Sequence, residues 1–221
     1  MTLEVDNIEL YFSNKRILNG IYLKAETKKI TTILGSNGCG KSSLLRIIFG
    51  DLMPKYKLIR INKEPIKKPL YRTGRISILP QHNFIPSSVK INYAFNILGV
   101  NWSTFIDTFE GFSKYKYNSM NQLSGGERRV VETYLILKSE SEIVLLDEPF
   151  SHIAPLYIEK IKQLITDVKK DKVIILTDHI YKHVINIADK IYLLNDGHSK
   201  LISDLKELEF YNYINIGSLD S

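Results

Sequence analysis

Apolar and polar residues alternate at the start of the chain, with Leu3, Val5, Ile8, Leu10 and Phe12 followed, after a Ser13-Asn14-Lys15 turn, by Ile17, Ile21 and Leu23. Spacing of period two predicts two strands of an antiparallel edge sheet. Ile30–Leu34 is a β-branched run that ends in glycines, and Leu44, Leu45, Ile47 and Ile48 then recur at helical spacing, which predicts strand, loop and helix. Residues 51–75 are basic and broken by Pro54, Pro65 and Pro69, leaving room for short strands such as Leu58–Ile61. Ile76–Leu79 reads as a short buried strand. From Ser87 to Asn121 apolar residues return every three or four positions (Val89, Tyr93, Ile97; Phe105, Ile106, Phe109), which predicts a small helical lobe.

After Ser124 the pattern becomes an α/β alternation. A helix over Arg128–Lys138 leads to a strand at Ile143–Leu146, and a helix over Leu156–Val168 leads to a strand at Val173–Leu176. Continuous apolar strands separated by amphipathic helices indicate a parallel sheet covered on both faces. The tail predicts a strand at Ile191–Leu194, an Asn195-Asp196-Gly197 turn, a short return strand and a last helix near Asp204–Phe210. No internal repeat or low-complexity linker interrupts the series. The helical lobe, about residues 82–138, is therefore expected as an insertion within a single domain spanning 1–221.

Composition narrows the class. Hydrophobic residues at 44% and charged residues at 24% are globular values, which excludes disordered and fibrous architectures. At about 150 residues per domain, 221 residues suit one core with an appended lobe. No uninterrupted apolar run exceeds four residues, whereas a membrane-spanning helix needs about 20. Met1–Asp6 lacks a basic start and an apolar stretch, so a cytosolic chain is expected. The lone Cys39 can form no internal disulfide, in keeping with a reducing compartment. The net charge of +6 suits phosphate ligands, nucleic acid or an anionic membrane equally well.

The candidate chemistry begins at Gly35-Ser36-Asn37-Gly38-Cys39-Gly40-Lys41-Ser42, which fits the phosphate-binding loop G-x-x-x-x-G-K-[ST] with a strand before it and a helix after it. At average glycine usage a chance match in a chain this long is on the order of one in a hundred. Glycines let successive backbone N–H groups turn towards phosphate oxygens, and the helix N-terminus adds partial positive charge. Lys41 supplies a point charge to the same oxygens and Ser42 a hydroxyl to Mg²⁺. The bland alternative is an ordinary glycine turn, and for Cys39 a small residue that simply fits.

Ile143–Leu146 ends in Asp147-Glu148, a buried strand delivering two carboxylates at its carboxyl end. Asp147 is the candidate Mg²⁺ ligand, through water, and Glu148 the group that orients and deprotonates an attacking water. Leu123-Ser124-Gly125-Gly126-Glu127 opens the helix leading to that strand. Ser124 with Glu127 three residues later is a capping box, and the exposed glycines also let a phosphate approach.

The phosphate loop, the Leu123–Glu127 LSGGE sequence and the Asp147-Glu148 pair together resemble the nucleotide-binding subunits of ATP-binding cassette (ABC) proteins, over essentially the whole chain. The resemblance implies an α/β P-loop NTPase fold of the ABC-ATPase type. That fold has a mixed, mainly parallel sheet core, an N-terminal antiparallel β subdomain and a small helical subdomain. It identifies Gln81 with the family's Q-loop glutamine, which touches Mg²⁺ and water, and His179 with the switch histidine at the γ-phosphate. It places Ser43 beside Ser42 in the nucleotide cradle and calls for an aromatic residue stacking on adenine, for which Phe12 is the better match and Tyr11 the alternative. It implies two subunits, as homodimer or heterodimer, pairing head to tail. ATP then lies between one phosphate loop and the partner's Ser124–Gly126 signature.

The sequence also departs from that pattern. Ala154 stands where the family has an aspartate after Pro149-Phe150-Ser151-His152-Ile153. Lys28-Lys29 replaces a usual Gly-Glu, expected to be a turn change of little consequence, and only 41 residues separate Gln81 from Leu123, which implies a small docking lobe.

The leading functional expectation is an ATPase subunit on the cytoplasmic face of the membrane, driving a separately encoded transmembrane permease. It looks similar to small ATPases of lipopolysaccharide-export and branched-chain amino-acid transporters. The alternative is a soluble ABC ATPase of a cytosolic assembly, such as iron–sulfur cluster building. A third reading is a degenerate cassette that binds ATP to regulate a partner, supported by Ala154 alone. No nucleic-acid partner is expected, since the DNA-maintenance relatives need long coiled-coil arms that 41 residues cannot supply.

Overall fold

The computed structural model describes residues 1–179 and 181–218. β1 (Thr2–Phe12) and β2 (Lys15–Glu26) form the expected hairpin, with Leu3 opposite Ala25 and Val5 opposite Leu23. β4 (Tyr56–Ile61) joins the other side of β1 and β5 (Glu64–Pro65) closes the edge, giving the antiparallel order β2-β1-β4-β5.

The second sheet has six strands in the order β10-β9-β3-β8-β7-β6. They are β10 (His198–Ile202), β9 (Lys190–Asn195), β3 (Ile30–Leu34), β8 (Val173–Thr177), β7 (Ile143–Asp147) and β6 (Ile76–Leu79), parallel throughout except for the β10–β9 pair. Every residue of β3, β7 and β8 is buried, which explains why these strands read as continuous apolar runs. Successive side chains then serve two cores. Val144, Leu146, Ile174 and Leu176 point to one face, whereas Ile143, Leu145, Val173 and Ile175 point to the other.

The second of these cores is filled by the antiparallel sheet and by α1 (Lys41–Phe49), whose Leu44, Leu45, Ile47 and Ile48 form one buried stripe. α4 (Gly125–Lys138) and α5 (Pro155–Val168) cover the first face. Both start earlier than their apolar periodicity predicts, α4 because the Ser124 capping box sets its first residue and α5 because Pro155 suits the first helical position. α6 (Tyr181–Ile185), between β8 and β9, is an element that the apolar spacing does not announce. Lys28 adopts φ 69, a left-handed conformation that glycine takes freely. A lysine there therefore carries a local backbone cost that glycine would avoid.

Between β6 and α4 lie α2 (Ile91–Ile97), α3 (Trp102–Thr108) and two 3-10 turns, Glu110–Tyr115 and Met120–Gln122. Phe105 is the centre of this segment, with ring centroids 5.1 Å from Phe95, 5.2 Å from Phe109 and 4.9 Å from Tyr134 of α4. Tyr93 and Ile97 carry part of the apolar spacing that predicts this lobe. They are 57% and 63% exposed, and α2 buries Ile91, Ala94 and Phe95 instead. The outer apolar face of this short helix borders an open groove. Lastly, α7 (Lys206–Phe210) follows β10 and buries Leu208. Among the described residues, no helix is long and apolar enough to cross a membrane.

Candidate functional site

The carboxyl ends of β3, β7 and β8 meet at one edge of the parallel sheet, where an open α/β sheet binds its ligands. β3 delivers Gly35–Gly40 there, and α1 begins directly at Lys41. Gly40 caps α1 at φ 107, and a Cβ on it would stand 2.8 Å from Leu18 of β2, so only glycine brings the loop this close to the antiparallel sheet. Lys41 is 6% exposed and folds back over the loop, its Nζ donating to the carbonyls of Gly35 at 2.7 Å and Ser36 at 3.0 Å.

A cleft of about 510 Å³ opens above this helix N-terminus. Asn37, Gly38, Gly40, Lys41, Ser42 and Ser43 form its floor, Gln81 and Glu148 one wall, and Phe12 and Ile17 the other. Phe12 is 50% exposed at the cleft. Tyr11, its neighbour on β1, points to the opposite side of the strand, with Lys55 Nζ 5.3 Å from its ring centroid. Ser36 and Cys39 face an adjoining cleft of about 410 Å³ shared with Asn195–Gly197. Burial pushes the Cys39 thiol up from its ordinary pKa, which keeps it a neutral filler.

The acidic end of β7 separates its two carboxylates. Asp147 is buried and accepts a 2.7 Å hydrogen bond from the Thr177 hydroxyl of β8. Glu148 turns into a left-handed conformation, φ 53, which directs its carboxylate into the cleft. Its Oε2 accepts from Gln81 Nε2 at 3.3 Å and from the Ser151 hydroxyl at 3.2 Å, and His179 Nδ1 lies 3.4 Å away. Three loops, after β6, β7 and β8, thus converge on one carboxylate oxygen.

Ser124, Gly125 and Gly126 lie outside this cleft, at the exposed N-terminus of α4. Ser124 Oγ accepts from the Glu127 amide at 3.3 Å while the Ser124 amide donates to Glu127 Oε2 at 2.9 Å, the capping box that the sequence predicts. A Cβ on Gly126 would collide with the His152 carbonyl, so the signature turn packs directly on the segment after Glu148.

Sequence reasoning did not find Arg129. Its guanidinium is 5% exposed and donates to the carbonyls of Pro80 (2.6 Å), Asp147 and Glu148 (3.0 Å). Burial lowers its pKa, opposed by the negative charges of Glu132, Asp147, Glu148 and Asp178. Beside it on the same helix, the Arg128–Glu132 pair (3.2 Å) is buried and holds Ile85 and Ser87 of the loop after Gln81. α4 is buried over Arg128–Leu137, so its charged residues must bind protein groups. That all-round burial comes from tertiary packing, and no local sequence pattern announces it.

A family profile described as ABC transporter matches residues 18–151, the stretch that holds the phosphate-binding loop, the LSGGE helix start and the strand-end carboxylate pair in that order. The chain belongs to that family. It is an ABC-type P-loop ATPase. An ABC transporter ATP-binding protein of Methanocaldococcus jannaschii is 26% identical, the match covering 98% of this chain and 84% of the relative. A phosphate import ATP-binding protein, PstB 1 of Lactococcus lactis subsp. lactis, is 28% identical over 93% of this chain and 90% of its own. The fold superposes on the solved structure of an ATP-binding subunit of an ABC transporter with a TM-score of 0.84, covering 100% of this chain and 97% of that one at 19% identity.

Proposed function

We propose that this chain is the ATP-hydrolysing subunit of a transporter, peripheral on the cytoplasmic face of the membrane and driving a separately encoded permease. The observation that carries this reading is the convergence of Gln81, Ser151 and His179 on Glu148 Oε2, at the mouth of the cleft that the phosphate loop floors. Backbone amides of Gly35–Gly40, the Lys41 ammonium and the hydroxyls of Ser42 and Ser43 hold the triphosphate, and Phe12 offers its exposed ring to the adenine. Ser42, Asp147 and Gln81 present hard oxygen donors of the kind Mg²⁺ takes, with phosphates and water filling its remaining positions. Mg²⁺, when bound, neutralises charge on the phosphate oxygens. Glu148 orients a water and accepts its proton, while Gln81 and His179 fix the carboxylate and contact the γ-phosphate.

The exposed Ser124–Gly126 turn serves the phosphate loop of a second subunit, so the working unit is a dimer that ATP closes and hydrolysis reopens. Residues 82–138 act as a helical subdomain inserted in the core. Its apolar groove of about 200 Å³, walled by Phe84, Ile85, Val89, Tyr93 and Ile97, is the surface offered to the permease. Purified protein, with its permease where needed, is expected to hydrolyse Mg-ATP, and Glu148→Gln to trap an ATP-bound dimer. Absence of turnover in the reconstituted wild type ends this reading.

A further inference from the structure

The positive charge of the chain is concentrated in one segment. Residues 55–75 hold eight Lys and Arg against the single Glu64, a local +7, so the rest of the chain sums to −1 against +6 overall. Two of these cations are neutralised in place, Arg60 by Glu4 and Asp6 and Arg75 by Glu142. Lys55, Lys57, Lys63, Lys67, Lys68 and Arg72 have no carboxylate within ion-pair distance among the described residues.

Three of them share one groove. Lys57, Lys67 and Lys68 line a depression of about 80 Å³ at the C-terminal end of α1, on the edge of the antiparallel sheet. Its floor is apolar, from Ile47, Ile59 and Ile66, and Met53 stands at its rim 76% exposed. Lys57 is half-buried on this floor, which lowers its pKa through desolvation. A half-desolvated ammonium beside two exposed ones, with no carboxylate near, is a site that an anion completes.

We propose that this groove is a contact for anionic lipid headgroups. The lysines meet the phosphates, and Met53 with the apolar floor meets the acyl boundary, the combination of charge and apolar area by which peripheral proteins lie on a membrane. A nucleic-acid strand is the poorer fit, because no aromatic side chain lines the groove to stack a base. An acidic peptide would use the charge but leave Met53 in water. The proposal rests on the permease reading, which brings the chain to a membrane. The two are tested apart, since vesicle binding uses the purified chain alone.

The experiment is co-sedimentation with phosphatidylcholine vesicles with and without roughly 30% phosphatidylglycerol, at low salt and at about 0.5 M salt. Wild type should bind the anionic vesicles at least about tenfold better than the neutral ones and lose that preference at high salt. Lys67→Glu/Lys68→Glu, at two exposed positions, should lower binding by more than about tenfold with ATP affinity and melting temperature unchanged, and Met53→Ser should lower it without altering the salt dependence. Equal binding to both vesicles, unchanged binding by the double variant, or tighter binding of a poly-glutamate peptide or a DNA oligonucleotide than of anionic vesicles each overturns the proposal.

Discussion

Arg129 Nη2 donates to the Glu148 carbonyl at 3.0 Å, so a side chain of the signature helix holds the backbone of the residue whose carboxylate faces the cleft. The same guanidinium holds the carbonyls of Asp147 and of Pro80, the residue before Gln81. Arg129 is therefore a positioning residue. It sets the left-handed turn at Glu148 and the start of the Gln81 loop together, without reaching the cleft itself.

Replacing Arg129 with Met should accordingly lower turnover by about 10- to 100-fold, the usual effect of losing an outer support, while ATP affinity changes little. Arg129→Lys, which keeps the charge but places its donors on a single nitrogen, should recover part of the rate. Single-turnover hydrolysis and equilibrium nucleotide binding check this. A parallel loss of affinity, rate and stability would mean that Arg129 only holds the fold.

Lys41→Ala should weaken ATP binding by about 100-fold, since charge-assisted bonds to phosphate oxygens are lost from the loop. The variant also loses the bonds that Lys41 makes to Gly35 and Ser36, so its melting curve must be recorded beside the affinity. Wild-type affinity in a folded Lys41→Ala protein would place the nucleotide elsewhere.

The phosphate loop, the β7 carboxylates and the Ser124–Glu127 box were legible in the sequence because each is local, one strand end or one helix start. Gln81 and His179 needed the family resemblance, since a lone glutamine or histidine after a short strand carries no pattern of its own. Arg128, Arg129 and Glu132 were illegible for another reason. Charged residues on a helix read as a solvated face, and only tertiary packing reveals that α4 is buried on almost every side. Tyr93 and Ile97 show the converse, apolar residues at helical spacing that the fold leaves exposed.

Glu26 ties the antiparallel sheet to the core, with Lys190 of β9 at 2.9 Å and Lys29 at 3.2 Å. The Lys190 hydrogen bond first, and Lys29 next, pull its pKa from 4.5 to about 2. A lowered carboxylate pKa means that the unfolded chain binds the proton more readily. The stabilisation is therefore present above pH 4.5 and is lost as pH falls towards 2. After solvent screening it amounts to about 1 kcal/mol. Denaturant melts of wild type and Glu26→Gln should differ by that amount at neutral pH and converge at the acid end. A constant difference across the range would contradict the assignment.

Ala154 occupies the N-cap of α5 with φ −63 and ψ 142, the extended geometry of a capping residue, yet it offers no side-chain acceptor and the first turn carries no acid. Pro155 at the first helical position has no N–H to satisfy and the Tyr157 amide already donates to the Ala154 carbonyl at 2.9 Å, which leaves the amide of Leu156 for a side-chain cap. Ala154→Asp should supply that acceptor together with a negative charge at the helix N-terminus, raising stability by about 1 kcal/mol and the melting temperature by about 2–4 °C. The gain should disappear below about pH 4, as the new carboxylate protonates. Ala154 and Leu156 are both exposed, so the same residue also tests the subunit contact. If the carboxylate reaches the partner, Ala154→Asp in a Glu148→Gln background strengthens ATP-dependent dimerisation. If it acts only as a cap, melting rises by the same amount at every protein concentration and dimerisation stays where it was. No rise in melting temperature at neutral pH would refute the capping argument.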